Sequence, residues 1–521
     1  MEPYNTLFLT DSYKISHHLQ YPPETTRVFS YFESRGGKWD KTLFFGLQII
    51  LKKYLAGAVV TQQMIDEADE FFQDHFGTNI FNRAGWELIV TRHGGKLPVE
   101  IRAVAEGSLV PVRNVLFTVE NTDPELAWLT NYLETLLVQV WYPLTVATNS
   151  WACKRVIRDY LDQTAEDPAA GLEFRLHDFG FRGVSSVESA GIGGAAHLVS
   201  FRGTDTLAGI VAARRFYGAR MAGNSIPATE HSTMTTWGRA GERAAVEHVL
   251  TNIPAGGLAI VVDSYDIWNM LENTIGDQVK QLVESRNTDG GGFLVVRPDS
   301  GDPREVLARV FSILGDKFGS RENSKGYRVL PDCVRVIQGD GISFETIGPI
   351  LESLRAAGWS AENLTFGSGG ALLQRLDRDT QRCAYKCSMA EVGGEEREVF
   401  KVRWTRSFKI QVQCITETVP GPGDGPRQEE QAGAAGAGAG GRGLGHGAGG
   451  GARGAGGSAG HRLPRRRDAA GVDLGRGHGQ GGLALKCAAF IKFSIFLHII
   501  ITQNTITLTL KRIHAHLQPP Q

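Results

Sequence analysis

The chain has 521 residues and a formal net charge of −1 at pH 7, which is length for two or three domains without the basic excess that would hold nucleic acid. Its six cysteines (Cys153, Cys333, Cys383, Cys387, Cys414, Cys487) show no Cys-x-x-Cys or zinc spacing, a pattern suited to a reducing compartment. The opening "MEPYNTLFLTDSYKISHHLQ" has no basic region followed by an apolar run, so no secretory signal is expected and a cytoplasmic location is.

Two helices are predicted first. "TQQMIDEADEFFQDHFG" offers Thr61 as N-cap, an apolar stripe through Ile65, Ala68, Phe72 and Phe76, and Gly77 as the stop. "TDPELAWLTNYLETLLVQVWYP" offers Asp123 as cap, Pro124 at the first helical position, and a broad apolar surface from Leu126 to Trp141 that implies deep burial. Both are structural.

After these the rhythm changes. Five β-rich runs end in polar or glycine residues and are followed by helix-like sequence: "FRLHDFGFRG" (Phe174–Gly183), "GLAIVVDSYD" (Gly257–Asp266), "GFLVVRPDSGDP" (Gly292–Pro303), "VRVIQGDGISFE" (Val334–Glu345) and "LTFGSGG" (Leu364–Gly370). Repeated strand, loop and helix predict an α/β arrangement of parallel strands, whose ligand lies at their carboxyl ends. Those ends carry Arg182 and Arg297, fixed cations suited to phosphate; Asp263, Asp299 and Asp340; and glycine loops at Gly339–Gly341 and Gly367–Gly370. The set fits a phosphorylated sugar, because arginine forks and backbone N–H groups both hold phosphate oxygens. Each aspartate taken singly is equally well read as the N-cap of the next helix. In "PATEHSTMTTWG", His231 follows Glu230; it could serve as base or phosphoryl acceptor, or be a hydrogen-bonded loop residue.

Beyond Lys401 the sequence loses this character. From about Val419 to Gly482 it is mostly Gly and Ala with scattered Arg, too poor in apolar bulk to offset the entropy of ordering. "RLPRRR" at Arg462–Arg467 reads as a solvated basic run, and "CAAFIKFSIFLHIII" (Cys487–Ile501) is shorter than the roughly 20 residues of a membrane span. Neither nucleic acid nor membrane is an expected partner.

The motifs "TDSYK" (Thr10–Lys14), "YFESRGG", "FTVENTDP", "HDFGFRGVSS", "FRGTDT", "EHSTMTTWG", "DSYDIW", "RPDSGDP", "ENSKGY", "RVIQGDG" and "FGSGG" together resemble the nicotinate/nicotinamide phosphoribosyltransferase family, over about residues 5–401. The resemblance is closer to the nicotinamide enzymes than to the nicotinate ones. It implies a type II phosphoribosyltransferase fold: an irregular β/α barrel with an additional mixed α+β domain. It also implies a head-to-tail homodimer with sites at the interface, and transfer of phosphoribosyl from phosphoribosyl pyrophosphate to nicotinamide. Mg²⁺ would accompany pyrophosphate and ATP, with ATP as co-substrate. The expected division is a mixed domain over 1–150, a barrel over 151–401 and a disordered tail over 402–521.

Residue by residue, the resemblance implies that Phe179 and the partner subunit's Tyr13 stack on the pyridine ring. Arg297 and Asp205 would hold the carboxamide, Arg182 and Asp299 the ribose and pyrophosphate, and Asp263, Gly339 and Asp340 would complete the sugar site. Gly369 and Gly370 would cradle the 5-phosphate. Arg35, Arg378, Lys386 and Lys401 match the family's basic residues around pyrophosphate and ATP, and His231 would carry phosphate from ATP. His231, Asp299 and Arg297 are thus the expected catalytic set. The alternatives are a nicotinate enzyme, or a catalytically impaired subunit that still binds nucleotide. The second follows from the tail: Gly421–Gly433 can be written in codons that, read one base later, give Asp-Pro-Val-Thr-Asp-Pro-Gly-Lys-Lys-Ser-Lys-Gln, the kind of loop the family has next. Val402–Pro420 is then expected to be a retained intron, with everything after it out of frame.

Overall fold

A computed structural model describes residues 5–253, 256–290 and 292–401, with 288–290 as backbone, and the backbone of Phe496–Thr502 and Thr505–Thr509. In chain order the main strands are β1 (Thr25–Ser34), β2 (Val99–Val104), β3 (Val115–Asn121), β4 (Leu176–Asp178), β5 (Gly257–Val261), β6 (Phe293–Arg297), β7 (Val334–Gln338), β8 (Leu364–Ser368), β9 (Cys383–Val392), β10 (Glu395–Glu398), β11 (Phe496–Thr502) and β12 (Thr505–Thr509).

The first sheet is antiparallel in the order β10-β9-β1-β3-β2-β11-β12. Alternation builds it: in β1, Val28, Ser30, Phe32 and Ser34 point to the buried side while their neighbours are half-buried. Phe32 stacks on Phe117 of β3, with centroids 4.8 Å apart, inside a core shared with Trp86, Leu129 and Tyr385. The predicted helix at Gln62–Phe76 forms as expected: Thr61 accepts the Met64 N–H, and Gly77 closes the helix in a left-handed conformation at φ 65°.

The second sheet is parallel in the order β4-β8-β7-β6-β5, and all five runs expected to form strands supply it. Its strands are buried on both faces, as parallel sheets covered by helices require. Leu258, Ile260, Leu294, Val296, Val336 and Phe366 enter the helix-packed core, while Ala259, Val295 and Ile337 form a small cluster on the other face. Isolated parallel bridges continue the pairing beyond the edge strands: Asp178 to Thr204, Gly203 to Asn224, and Ala228 to Ala259 of β5.

Three expectations are corrected. The segment Pro124–Trp141 is not one helix but a 3₁₀ turn at Pro124–Leu126 and two short α-helical pieces at Leu129–Tyr132 and Glu134–Val138, because i→i+3 bonds such as Gln139 N–H to Leu136 O interrupt the regular ladder. The long helix instead runs Trp141–Thr164, so a boundary at 150 falls inside it. The end of the expected barrel segment also belongs elsewhere, since β9 and β10 complete the first sheet beside β1. Outside the region expected to fold, β11 pairs with β2 through His498 opposite Arg102. The expectations for 402–495, including the intron, the basic run, Cys414 and Cys487, lie outside the described residues. No helix among the described residues is long and apolar enough to cross a membrane.

Candidate active site at the strand ends

Parallel pairing places every carboxyl end of the second sheet on one edge, and the expected site residues follow from it. Phe179 and Arg182 leave β4, Asp263 leaves β5, Arg297 ends β6 with Asp299 beyond it, Gly339 and Asp340 leave β7, and Gly369 and Gly370 leave β8. The aspartates are not helix caps. Asp266, Asp302 and Ser343, each three residues further on, do that work: Asp266 accepts the N–H groups of Trp268 and Asn269, Asp302 that of Arg304, and Ser343 forms a capping box with Thr346. Asp263, Asp299 and Asp340 are left for the site.

His231 opens the helix His231–Thr235. Glu230, its sequence neighbour, is occupied as the helix cap, its N–H donating to Thr233 Oγ1 at 3.2 Å. The orienting carboxylate is Asp263, whose Oδ1 lies 3.0 Å from His231 Nε2. Burial opposes ionisation of Asp263, but bonds from Ser300 Oγ (2.5 Å), His231 and the Asp299 N–H (3.2 Å) outweigh it and hold the carboxyl below its ordinary range. An ionised Asp263 can only accept, so Nε2 carries a proton and donates it to this bond. Nδ1 faces Asp299 Oδ2 at 4.0 Å, and Arg297 Nη2 is also 4.0 Å from that oxygen. Burial raises the Asp299 carboxyl, with Asp263 and Asp340 adding to the rise and Arg297 and His231 opposing it.

Beside this cluster a cavity of about 440 Å³ enters the interior of the second sheet. Ala259, Val295 and Ile337 give it apolar walls; Phe179, Asp205, Arg297 and His177 stand in its lining. Ser225 Oγ donates to Asp205 Oδ1, leaving the second carboxylate oxygen, and the buried Arg297 Nε has no hydrogen-bond partner. Burial lowers the His177 imidazole, keeping it neutral. The cavity lining thus presents an aromatic ring, a carboxylate acceptor and a guanidinium donor.

The glycines of "LTFGSGG" divide the work. A Cβ on Gly367 would stand 2.0 Å from Phe179 Cε2, so this glycine makes room for the ring. On the other loop, a Cβ on Gly183 would meet Gly370 Cα at 3.0 Å, so the Arg182 turn and the Gly369–Gly370 turn approach backbone to backbone. Arg182 and Asp340 are exposed at this edge.

The remaining expected residues are not in the cavity lining. Tyr13 is 59% exposed on the turn Ser12–Leu19. Arg35 follows β1 and pairs with Glu33 (2.8 Å), Lys386 lies in β9 opposite Tyr31, Arg378 precedes β9, and Lys401 is exposed after β10. Sequence reasoning missed His177 and Ser225, although His177 stands inside a quoted motif. Among the described residues no cluster of three or more His, Cys, Asp or Glu is arranged to hold a metal ion.

The sequence model of the nicotinate phosphoribosyltransferase (NAPRTase) family matches residues 174–417, running past the Lys401 at which the sequence resemblance was expected to stop. That of the nicotinamide phosphoribosyltransferase N-terminal domain matches residues 5–101. A nicotinamide phosphoribosyltransferase of Xanthomonas campestris pv. campestris is 51% identical over 399 residues, 76% of this chain and 84% of that protein. One of Mycoplasma pneumoniae is 33% identical over 428 residues, 76% of this chain and 91% of that protein. A solved human nicotinic acid phosphoribosyltransferase aligns at TM-score 0.47 and 17% identity, covering 75% of this chain and 76% of that one. With half its aligned residues shared with a relative that it matches over three quarters of its length, the chain belongs to the nicotinamide phosphoribosyltransferase family.

Proposed function

We propose that the chain transfers phosphoribosyl from phosphoribosyl pyrophosphate to the ring nitrogen of nicotinamide, releasing pyrophosphate, as a step of NAD salvage. The observation that carries this reading is a cavity whose lining includes Phe179, Asp205 and Arg297, the last with a buried Nε that has no partner. A flat heterocycle stacks on Phe179, its carboxamide oxygen satisfies Arg297, and its amide N–H₂ donates to Asp205. A carboxylate in place of the amide would face Asp205 with like charge, which disfavours nicotinate.

The ring nitrogen attacks the anomeric carbon as the bond to pyrophosphate breaks. The protein's part is to hold the two reactants in line and to place Arg182 and the Gly369–Gly370 backbone against phosphate oxygens. No side chain attacks the sugar. Asp299 and Asp340 are the carboxylates that would face Mg²⁺, which neutralises charge on the leaving pyrophosphate.

His231 serves a separate ATP half-reaction, its Nδ1 lone pair accepting a phosphoryl group while Asp263 holds the Nε2 proton. Arg35, Arg378, Lys386 and Lys401 act on pyrophosphate and ATP, and the partner subunit's Tyr13 closes the base site in a homodimer. The reading of an irregular β/α barrel is supported by the five parallel strands and by the isolated bridges from Asp178 to Thr204, Gly203 to Asn224 and Ala228 to Ala259. Mononucleotide formation from nicotinamide and phosphoribosyl pyrophosphate, with and without ATP and Mg²⁺, tests the reading. Equal or faster use of nicotinate would replace it with the nicotinate activity, and no product from either base would leave only a nucleotide-binding subunit.

A further inference from the structure

Two groups that the mechanism does not use lie under the base site. Asp178 and His197 are fully buried and neither lines the cavity. Asp178 Oδ1 accepts the Gly180 N–H at 2.7 Å, its backbone carbonyl accepts the Asp205 N–H at 2.9 Å, and its own N–H donates to Gly203 O at 3.1 Å. His197 Nε2 reaches the same Gly203 carbonyl at 3.2 Å, and its Nδ1 lies 2.9 Å from Ser150 Oγ. A carbonyl oxygen only accepts, so Nε2 carries the proton and Nδ1 accepts from Ser150. Phe179, between Asp178 and Gly180, donates its N–H to Ser368 O at 2.9 Å.

One hydrogen-bonded chain therefore runs from Ser150 through His197, Gly203 and Asp178 to both Gly180 and Asp205. We propose that Asp178 and His197 are positioning residues for base recognition, tying the Phe179 turn to the Gly203–Asp205 segment so that ring and acceptor keep a fixed spacing across the cavity. The inference rests on the nicotinamide reading given above. Two facts argue that the tie is more than packing. The carboxyl of Asp178 stays buried with Oδ2 unpartnered and Thr206 Oγ1 facing it short of hydrogen-bond geometry, an arrangement costly for packing alone. Burial pushes the His197 imidazole down to about 3, so it remains a neutral, one-tautomer link at any working pH.

The test measures nicotinamide KM, phosphoribosyl pyrophosphate KM and kcat in the full chain, together with hydrogen exchange at the Gly180 and Asp205 amides. Asp178→Ala is expected to raise nicotinamide KM at least tenfold, with the pyrophosphate-substrate KM changed less than twofold and the Gly180 amide exchanging faster, while the Asp205 amide keeps its bond to the residue-178 backbone carbonyl. Asp178→Asn keeps an acceptor for Gly180 and is expected to stay within threefold of wild type. His197→Gln keeps an N–H for Gly203 and His197→Phe does not, so the pair should split in the same way; this pair decides the matter if Asp178→Ala does not fold. A folded Asp178→Ala or His197→Phe with wild-type nicotinamide KM, an equal rise in both KM values, or unchanged exchange at the Gly180 amide in Asp178→Ala overturns the tie. A wild-type chain that makes no mononucleotide from nicotinamide overturns the functional reading instead, and amide exchange then still decides the tie.

Discussion

Replacing Gly367 by alanine should damage base binding through Phe179 alone. The new Cβ would stand 2.0, 2.4 and 2.8 Å from three ring carbons of Phe179, where ordinary contact begins at 3.4 Å, so the ring edge must retreat by about 1.4 Å. Its backbone cannot follow, because the Phe179 N–H is bonded to Ser368 O at 2.9 Å, one residue from the substitution. Gly339 closes another side, with a Cβ position 3.5 Å from the same ring. The open direction is the cavity, where the base would lie. Overpacking of this kind costs about 1–3 kcal/mol. Taken from binding at about 1.4 kcal/mol per tenfold, that is a rise of about 5- to 150-fold in nicotinamide KM. Initial rates against nicotinamide at saturating phosphoribosyl pyrophosphate give the number, and a thermal melt shows whether the fold shares the cost. Gly369→Ala is the control: its Cβ meets only Phe179 O at 3.7 Å, so the nicotinamide KM should hold while any change falls on the phosphorylated substrate. Wild-type nicotinamide KM and Tm in Gly367→Ala would mean that the ring does not sit against this glycine.

Asp205→Asn should weaken discrimination against nicotinate, since it removes the acidic acceptor beside Ser225 at constant size; unchanged preference in competition between the two bases would remove Asp205 from recognition. His231→Ala should abolish ATP hydrolysis and its stimulation of synthesis while leaving part of the basal rate, and undiminished ATPase in the purified variant refutes the phosphoryl role. Asp178→Asn should stabilise the protein at neutral pH. Burial raises the Asp178 carboxyl from 3.8 to about 6, with Asp205 adding and the Gly180 bond opposing, and His177 and Tyr142 are the other titrating groups beside it. A raised acid binds its proton more tightly folded than unfolded, so its contribution to stability is present below 3.8 and is lost as pH rises to 6. The gain from asparagine should thus grow across that window to at most about 3 kcal/mol; urea melts of both proteins at pH 4 and 7.5 measure it, and a gain independent of pH would assign the effect elsewhere.

The parallel sheet was legible because its strands are continuous apolar runs, and the site was legible because each run ends in charge or glycine. What single residues could not settle was which aspartate caps and which binds. The answer was present in spacing: Asp263, Asp299 and Asp340 are each followed three residues later by a capping side chain, in "DSYD", "DSGD" and "DGIS". The partner of His231 was not legible, since Asp263 is 32 positions away and the adjacent Glu230 is taken by its own helix. Nor was the break-up of Pro124–Trp141, where the apolar periodicity of a helix survives although i→i+3 bonds interrupt the i→i+4 ladder. His177 was hidden because its placement depends on strand direction and on Gly203, whose missing side chain leaves room for the imidazole.

The seat of β1 in the middle of the first sheet sets a timetable for synthesis. Its neighbour β3 emerges soon after it, but its other neighbour, β9, does not: Ser34 Oγ donates to the carbonyl of Gln381, 347 positions further along the chain. At about 5–20 residues per second, a nascent chain carries that strand edge unpaired for about 20–70 s, while the whole second sheet is being made. An unpaired edge is a template for foreign strands. The interval between the two halves of the first sheet is therefore the stage at which a chaperone would matter most, and slowing translation between Ser34 and Cys383 should lower the soluble yield more than slowing it after Val392.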